Sequence, residues 1–146
     1  MINIKIQSNK FDFSKEIKNF QNNKIDGAVV CFLGSVRDLK LGETLEKLEI
    51  EYYPKMAKKV LKETAKKAFN KWSLSQCLII HRFGELEVNE PIVLVITQTK
   101  HRKDAFKANE YIIDFLKINA PFWKKEHSPK GAKWVKQNKS DLEVIF

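Results

Sequence analysis

The chain has 146 residues, 43% of them apolar and 11% aromatic, which suits one folded domain with a buried core and excludes a disordered segment. No stretch approaches the roughly 18 uncharged apolar residues of a membrane span, and the N-terminus lacks a signal-peptide core, so a cytoplasmic protein is expected. With 27 Lys and Arg against 18 Asp and Glu, the formal charge of +9 calls for acidic partners such as phosphates, carboxylates, an acidic protein or nucleic acid.

Residues 1–8 alternate like a strand. Phe13, Ile17 and Phe20 have helical spacing with Ser14 as an N-cap, predicting a helix over 14–22. Asp26-Gly27 turns into an apolar strand over 28–36. A polar loop over 37–43 then leads to a strand over 45–53, with Leu48, Ile50 and Tyr52 on one side. Pro54 suits a first helical turn, and the helix running to about Trp72 sets Met56, Val60, Leu61, Ala65, Ala68 and Phe69 on a core stripe. A strand over 76–83, a turn-rich piece over 84–91 and a strand over 92–99 follow. A helix over 104–119 would bury Ala105, Ala108, Ile112, Ile113 and either Phe115 or Leu116. Pro121 removes a backbone donor and biases Ala120 away from helical angles, stopping that helix near Asn119. Strands near 122–127 and 132–136 form a hairpin about Pro129-Lys130-Gly131, while 141–146 is too short to assign. The class is α+β: one domain over 1–146 with a mixed, mostly antiparallel sheet, about three helices and a C-terminal hairpin.

Several side chains could carry chemistry. Cys31 and Cys77 lie in separate apolar runs without a CxxC partner, which predicts buried, reduced thiols over a persulfide carrier or nucleophile. His101, Arg102 and Lys103 flank a helix N-terminus, where free N–H groups favour an anion; they form either a phosphate site or a solvated basic turn. Arg37, at a strand end, reads either way too. His81 falls between apolar residues and reads as a core or interface histidine. The isolated histidines make no metal site, and neither a P-loop nor a dinucleotide fingerprint is present. Lys117 closes a core-facing helix and Lys124 follows Phe122-Trp123. Apolar neighbours either lower the pKa of such amines for catalysis, or the stems snorkel with the ammonium in water.

Five blocks then carry a resemblance: Gly34-x-Val36-Arg37, Glu51-x-Tyr53-Pro54-x-Met56, Ile80-His81-Arg82-x-Gly84-x-Leu86, His101-Arg102-x-x-Ala105-Phe106 and Leu116-Lys117-x-x-Ala120-Pro121-Phe122-Trp123-Lys124-Lys125-Glu126. From Gly27 to Val135 the chain resembles the catalytic (large) subunits of molybdopterin synthase. The resemblance implies an α/β hammerhead fold, a homodimer, and a small ubiquitin-like sulfur-carrier subunit at each end, together a heterotetramer. Sulfur would pass from the carrier's C-terminal thiocarboxylate to cyclic pyranopterin monophosphate (precursor Z), twice, to give the molybdopterin dithiolene. It further implies Lys117 and Lys124 as catalytic residues, with Arg37, His101, Arg102, Lys124, Lys125 and Glu126 lining the substrate pocket. Sulfur arrives on the partner, so no cofactor and no metal is expected. Asn89 stands where the family often has Gly, and its tolerance of left-handed angles should keep that turn. Two rival readings are a basic nucleic-acid-binding module, which needs exposed stacking aromatics on a continuous basic surface, and a non-catalytic carrier-binding subunit.

Overall fold

Two faces of one sheet decide most of the architecture of this computed structural model, which describes residues 1–20, 26–39, 44–119 and 121–135. Residues 21–22 of the first predicted helix, loop residues 40–43, Ala120, and everything after 135 lie outside the described residues. The strands β1 (Ile2–Gln7), β2 (Ala28–Ser35), β4 (Gln76–Arg82) and β6 (Pro91–Thr99) form a sheet in the order β1-β4-β6-β2. Only β1 and β4 run parallel in it. Along β4, Cys77 and Ile79 face helices α2 (Pro54–Lys71) and α3 (Arg102–Ile118), while Leu78 and Ile80 pack with Phe20 of α1 (Phe13–Phe20). Being covered on both sides, β4 and β6 carry near-continuous apolar runs instead of alternating ones.

The second sheet is antiparallel throughout: β5 (Gly84–Leu86), β3 (Lys47–Tyr52), β7 (Phe122–Ser128) and β8 (Gly131–Trp134), in the order β5-β3-β7-β8. Among the described residues the α+β class, three helices and terminal hairpin match the expectation, but the single expected sheet is two, and the turn expected over 84–91 contains β5. With three residues, β5 is too short to show a period. Phe122 packs against both the helix-facing core and the core of the second sheet, so the junction of the sheets falls at the start of β7.

Helix α3 is clamped to its sheet by buried polar groups. Asn109 donates to the Val30 and Val95 carbonyls at 3.1 and 3.0 Å, and the Thr97 hydroxyl donates to the Ala105 carbonyl at 2.9 Å. These contacts fix its direction: Ala105 lies over Thr97 and Asn109 over Val95, so α3 runs back along β6, towards the Pro91 end.

Three expectations about burial need correction. On α2, Leu61, Ala65 and Ala68 are buried as expected, but Met56 is exposed and the stripe is completed by Ala57 and Thr64. On α3, Asn109 joins the core that apolar counting alone assigned. Cys31 is exposed whereas Cys77 is buried, since β2 is the edge strand of its sheet, where Phe32 and Leu33 are exposed as well. Neither thiol is activated: burial pushes Cys77 up to about 12 and also raises Cys31.

Asn89 does adopt the left-handed conformation, at φ 71°. Its N–H donates to the Val36 carbonyl at 2.8 Å, and the Val36 N–H donates to the Glu90 carbonyl at 2.9 Å, so this turn holds the backbone beside Arg37. Asn89→Gly should leave stability unchanged, whereas Asn89→Val should cost about 1–2 kcal/mol in urea unfolding. Equal stability of the two variants would show the turn to be unstrained.

Candidate functional site

The corner at Pro121 turns α3 into β7. Leu116 packs into the core one residue before Lys117, which is exposed in the last helical turn. Pro121 is buried, and β7 begins immediately after it. In an antiparallel pair, residues directly opposite share a face. Phe122, Lys124 and Glu126 stand opposite Tyr52, Ile50 and Leu48, of which Ile50 and Leu48 are buried core. Lys124 and Glu126 therefore belong to the inward face of the sheet, and Lys124 is half-buried.

Beside this face sits His81, fully enclosed. It continues the Cys77–Ile79 side of β4, so its ring points to the helix-covered face at the end of the strand. The ring stacks on Phe122 with centroids 3.8 Å apart and planes 14° from parallel, and Nδ1 lies 2.8 Å from the Arg82 carbonyl. A carbonyl only accepts, so Nδ1 carries the proton of the neutral ring. Burial, chiefly, pushes the pKa of His81 down to about 3; the Arg82 carbonyl opposes this and the charge of Lys124 reinforces it. Because the folded value lies below the ordinary one near 6.5, the fold holds the neutral ring. The resulting stability is complete above about pH 6.5 and is lost as pH falls towards 3. Between pH 7.5 and 5 the wild type should lose about 2 kcal/mol more than His81→Phe in urea unfolding, at about 1.4 kcal/mol per unit below 6.5. Parallel pH profiles for the two proteins would contradict this.

Arg82, on the opposite face, is buried to 4% exposure. Its guanidinium donates to the Ser8 carbonyl at 3.2 and 2.9 Å, to the Pro91 carbonyl at 2.9 Å and to Glu90 at 3.1 Å. Although burial raises the Glu90 carboxyl, Arg82 and Lys10 more than reverse this and hold it below the usual range. Arg37 follows directly on the end of β2, where Ser35 pairs with Pro91. Next to it, the Asp38 carboxylate accepts the Leu45 and Leu39 N–H groups at 2.8 Å each and is thereby kept acidic. Arg37 is exposed and stands at the same end of the fold as Lys117 and Lys124.

The other expected pocket residues are distributed differently. Lys125 points to the outer face of β7 together with Trp123, opposite Glu49 and Glu51. There its ammonium lies 5.2 Å from the Trp134 ring, beside a groove of about 300 Å³ lined by Glu51, Tyr52, Tyr53, Trp123 and Trp134. His101 is the N-cap of α3 and Arg102 its first residue; both are exposed, and the His101 side chain makes no capping hydrogen bond. Its free N–H groups thus remain suited to an anion. Yet the 16 steps from His101 to Lys117 span about 24 Å of helix. Within one chain, Arg37, Lys117 and Lys124 lie towards one end, and His101 and Arg102 towards the other.

Sequence reasoning passed over His81 as part of the site. A signal existed: an imidazole continuing the helix-facing side of an otherwise apolar strand, one residue before an arginine that must also be buried. Among the described residues, no three His, Cys, Asp or Glu side chains cluster so as to hold a metal ion, and no helix is long and apolar enough to cross a membrane.

Comparison with known proteins adds the following. The family described as "MoaE protein" matches residues 6–119. The "Molybdopterin synthase catalytic subunit" of Haemophilus influenzae is 41% identical over 144 residues, covering 99% of this chain and 96% of that protein. Among solved structures, molybdopterin synthase from Staphylococcus aureus superposes with a TM-score of 0.83 at 37% identity, covering 90% of this chain and 96% of the other. The "Molybdopterin biosynthesis MoaE protein" of Burkholderia ambifaria gives 0.81 at 40% identity, covering 98% and 97%.

Proposed function

The chain belongs to the MoaE family, and on that premise we propose that it is the catalytic subunit of a molybdopterin synthase, acting as a sulfurtransferase in molybdenum cofactor biosynthesis. The donor is the C-terminal thiocarboxylate of a small ubiquitin-like carrier subunit, and the acceptor is cyclic pyranopterin monophosphate. In each transfer a carbon–sulfur bond replaces a carbon–oxygen bond on the pterin, whose oxygen leaves on the phosphate or as water, and the acyl carbon–sulfur bond of the carrier is hydrolysed. Water supplies the oxygen that replaces the sulfur, so the carrier is released with a C-terminal carboxylate. The protein itself contributes no sulfur and needs no cofactor, because the carrier delivers the reacting atom. The setting is cytoplasmic.

The observation that carries this reading is the corner at Pro121, which puts Lys117 and Lys124 on consecutive elements, with Arg37 at the same end of the fold. Both reactants are anions. Fixed cations lower the cost of bringing them together and stabilise charge on the phosphate as its ring opens. Lys124, half-buried at the edge of the core, acts where the local dielectric is lower and its charge is worth more. Lys117, exposed, holds the carrier tail or the phosphate.

His101 and Arg102 enter the same pocket from a second copy, since the length of α3 keeps them away from the lysines of their own chain. The uncovered apolar edge of β2, with Phe32 and Leu33 at 37% and 42% exposure, is the surface on which the two copies pair. The test is product formation from thiocarboxylated carrier and cyclic pyranopterin monophosphate. Lys124→Ala and Arg102→Ala should each be nearly inactive alone and regain about a quarter of wild-type activity per dimer when mixed and allowed to exchange subunits, because a quarter of all sites are then built from intact residues. Mixtures no more active than either variant would remove the shared pocket. Wild type without product in this assay would remove the function.

A further inference from the structure

We propose that His81 is a positioning residue for Lys124, acting through Phe122. The inference rests on the role given to Lys124 above and adds to it a residue that touches neither substrate nor carrier.

The geometry makes a short chain of contacts. Arg82 is fixed by four hydrogen bonds to the segments at Ser8 and Glu90–Pro91, so its backbone carbonyl has a defined place. That carbonyl takes the Nδ1–H of His81, which sets the plane of the ring. Phe122 lies flat on the ring at 3.8 Å, and its other neighbour, Tyr52, stacks on it at 5.8 Å. Lys124 is two residues further along β7 and on the same face. Strand alternation therefore transmits the position of Phe122 to the stem of Lys124. Phe122 stands at the start of β7, right after the corner, and packs against both cores.

The ring must also stay neutral. A second cation beside Lys124 would repel it, and the mutual influence of the two groups already shows in the depressed His81. An imidazole with one proton committed to a carbonyl offers a flat, uncharged wall next to an ammonium. Phenylalanine would supply the wall without the tether, and asparagine the tether without the wall.

The experiment uses the full chain with thiocarboxylated carrier, comparing wild type with His81→Phe, His81→Asn and Phe122→Leu. The readouts are kcat, KM for carrier and pterin, and the NMR signals of 15N-labelled lysine amines. A positioning role predicts kcat lowered about tenfold in His81→Asn and Phe122→Leu and less in His81→Phe, with both KM values within about twofold of wild type. The Lys124 amine resonance should move in all three while those of the α2 lysines stay in place. Unchanged kcat in the folded variants, or an unmoved Lys124 resonance, overturns the proposal. So does a fall in activity that follows thermal stability alone. If Lys124→Ala retains activity, the catalytic reading of Lys124 fails, but the resonance shift, measured without substrate, still decides whether His81 places this side chain. Should one histidine variant not fold, Phe122→Leu carries the same test.

Discussion

Lys124→Ala is expected to lower kcat for sulfur transfer by at least about 10²-fold, while carrier binding changes by less than about threefold. A positioned acid–base group or a preorganised charge at a developing anion contributes about 10²–10³ in rate. Lys124 has the surroundings for such an effect. Its strand partner is the buried Ile50, its neighbour on the same face is Phe122, and the neutral His81 lies beside them, so water competes poorly for its charge. Lys117→Ala should cost less, because that side chain is exposed and solvent screens it. Lys124→Arg keeps the charge but replaces a compact ammonium with a wide fork, and should recover only part of the loss. Single-turnover measurement with saturating carrier separates chemistry from binding. A Lys124→Ala enzyme within a factor of three of wild type would leave the corner without a catalytic purpose. A nucleic-acid-binding protein would survive this substitution altogether.

Much of this arrangement was legible before any coordinates, and the reasons differ from residue to residue. The helices α2 and α3 announce themselves through apolar spacing, and Pro121 gives the end of α3 because a proline has no N–H to donate. The doubly covered strands β4 and β6 were found as apolar runs. Which face each residue takes was harder: Met56 and Ala57 differ by one position, and a bulky methionine outweighs an alanine in any apolar count although only the alanine is buried. Cys31 misled because an edge strand and a central strand can share a composition, and strand order is not written in local sequence. The site was half legible. Motif order brings Lys117 and Lys124 together because few residues separate them, but it says nothing about distance between motifs. The separation of Arg102 from Lys117 could have been read from the predicted helix alone, at about 1.5 Å per residue. His81 could not be placed beside Lys124 without knowing that β7 crosses the end of β4.

The largest effect on stability should come from Arg82→Met, at about 3–5 kcal/mol. Methionine fills similar space, so the cost is electrostatic and not a cavity. The Ser8 and Pro91 carbonyls lose their donors, and Glu90, with 17% of its side chain exposed, keeps a carboxylate held by the surface Lys10 at 3.4 Å and a Glu87 backbone N–H. Each buried acceptor left without a partner costs about 1–3 kcal/mol. For a chain of this length the loss corresponds to a fall in Tm of about 10–15 °C. Arg82→Lys should sit between, because one ammonium cannot serve acceptors in three directions as the planar fork does. Arg82→Met with Glu90→Gln should be less than additive, since the second change removes the charge that the first strands. The damage also reaches the site. The same segment carries the Glu90 carbonyl that holds Val36, and hence the backbone before Arg37, while the Arg82 carbonyl holds the His81 ring. At a temperature where Arg82→Met is still folded, activity should therefore fall further than the folded fraction. Activity that tracks the folded fraction exactly as in wild type would mean that Arg82 supports the fold and leaves the corner untouched.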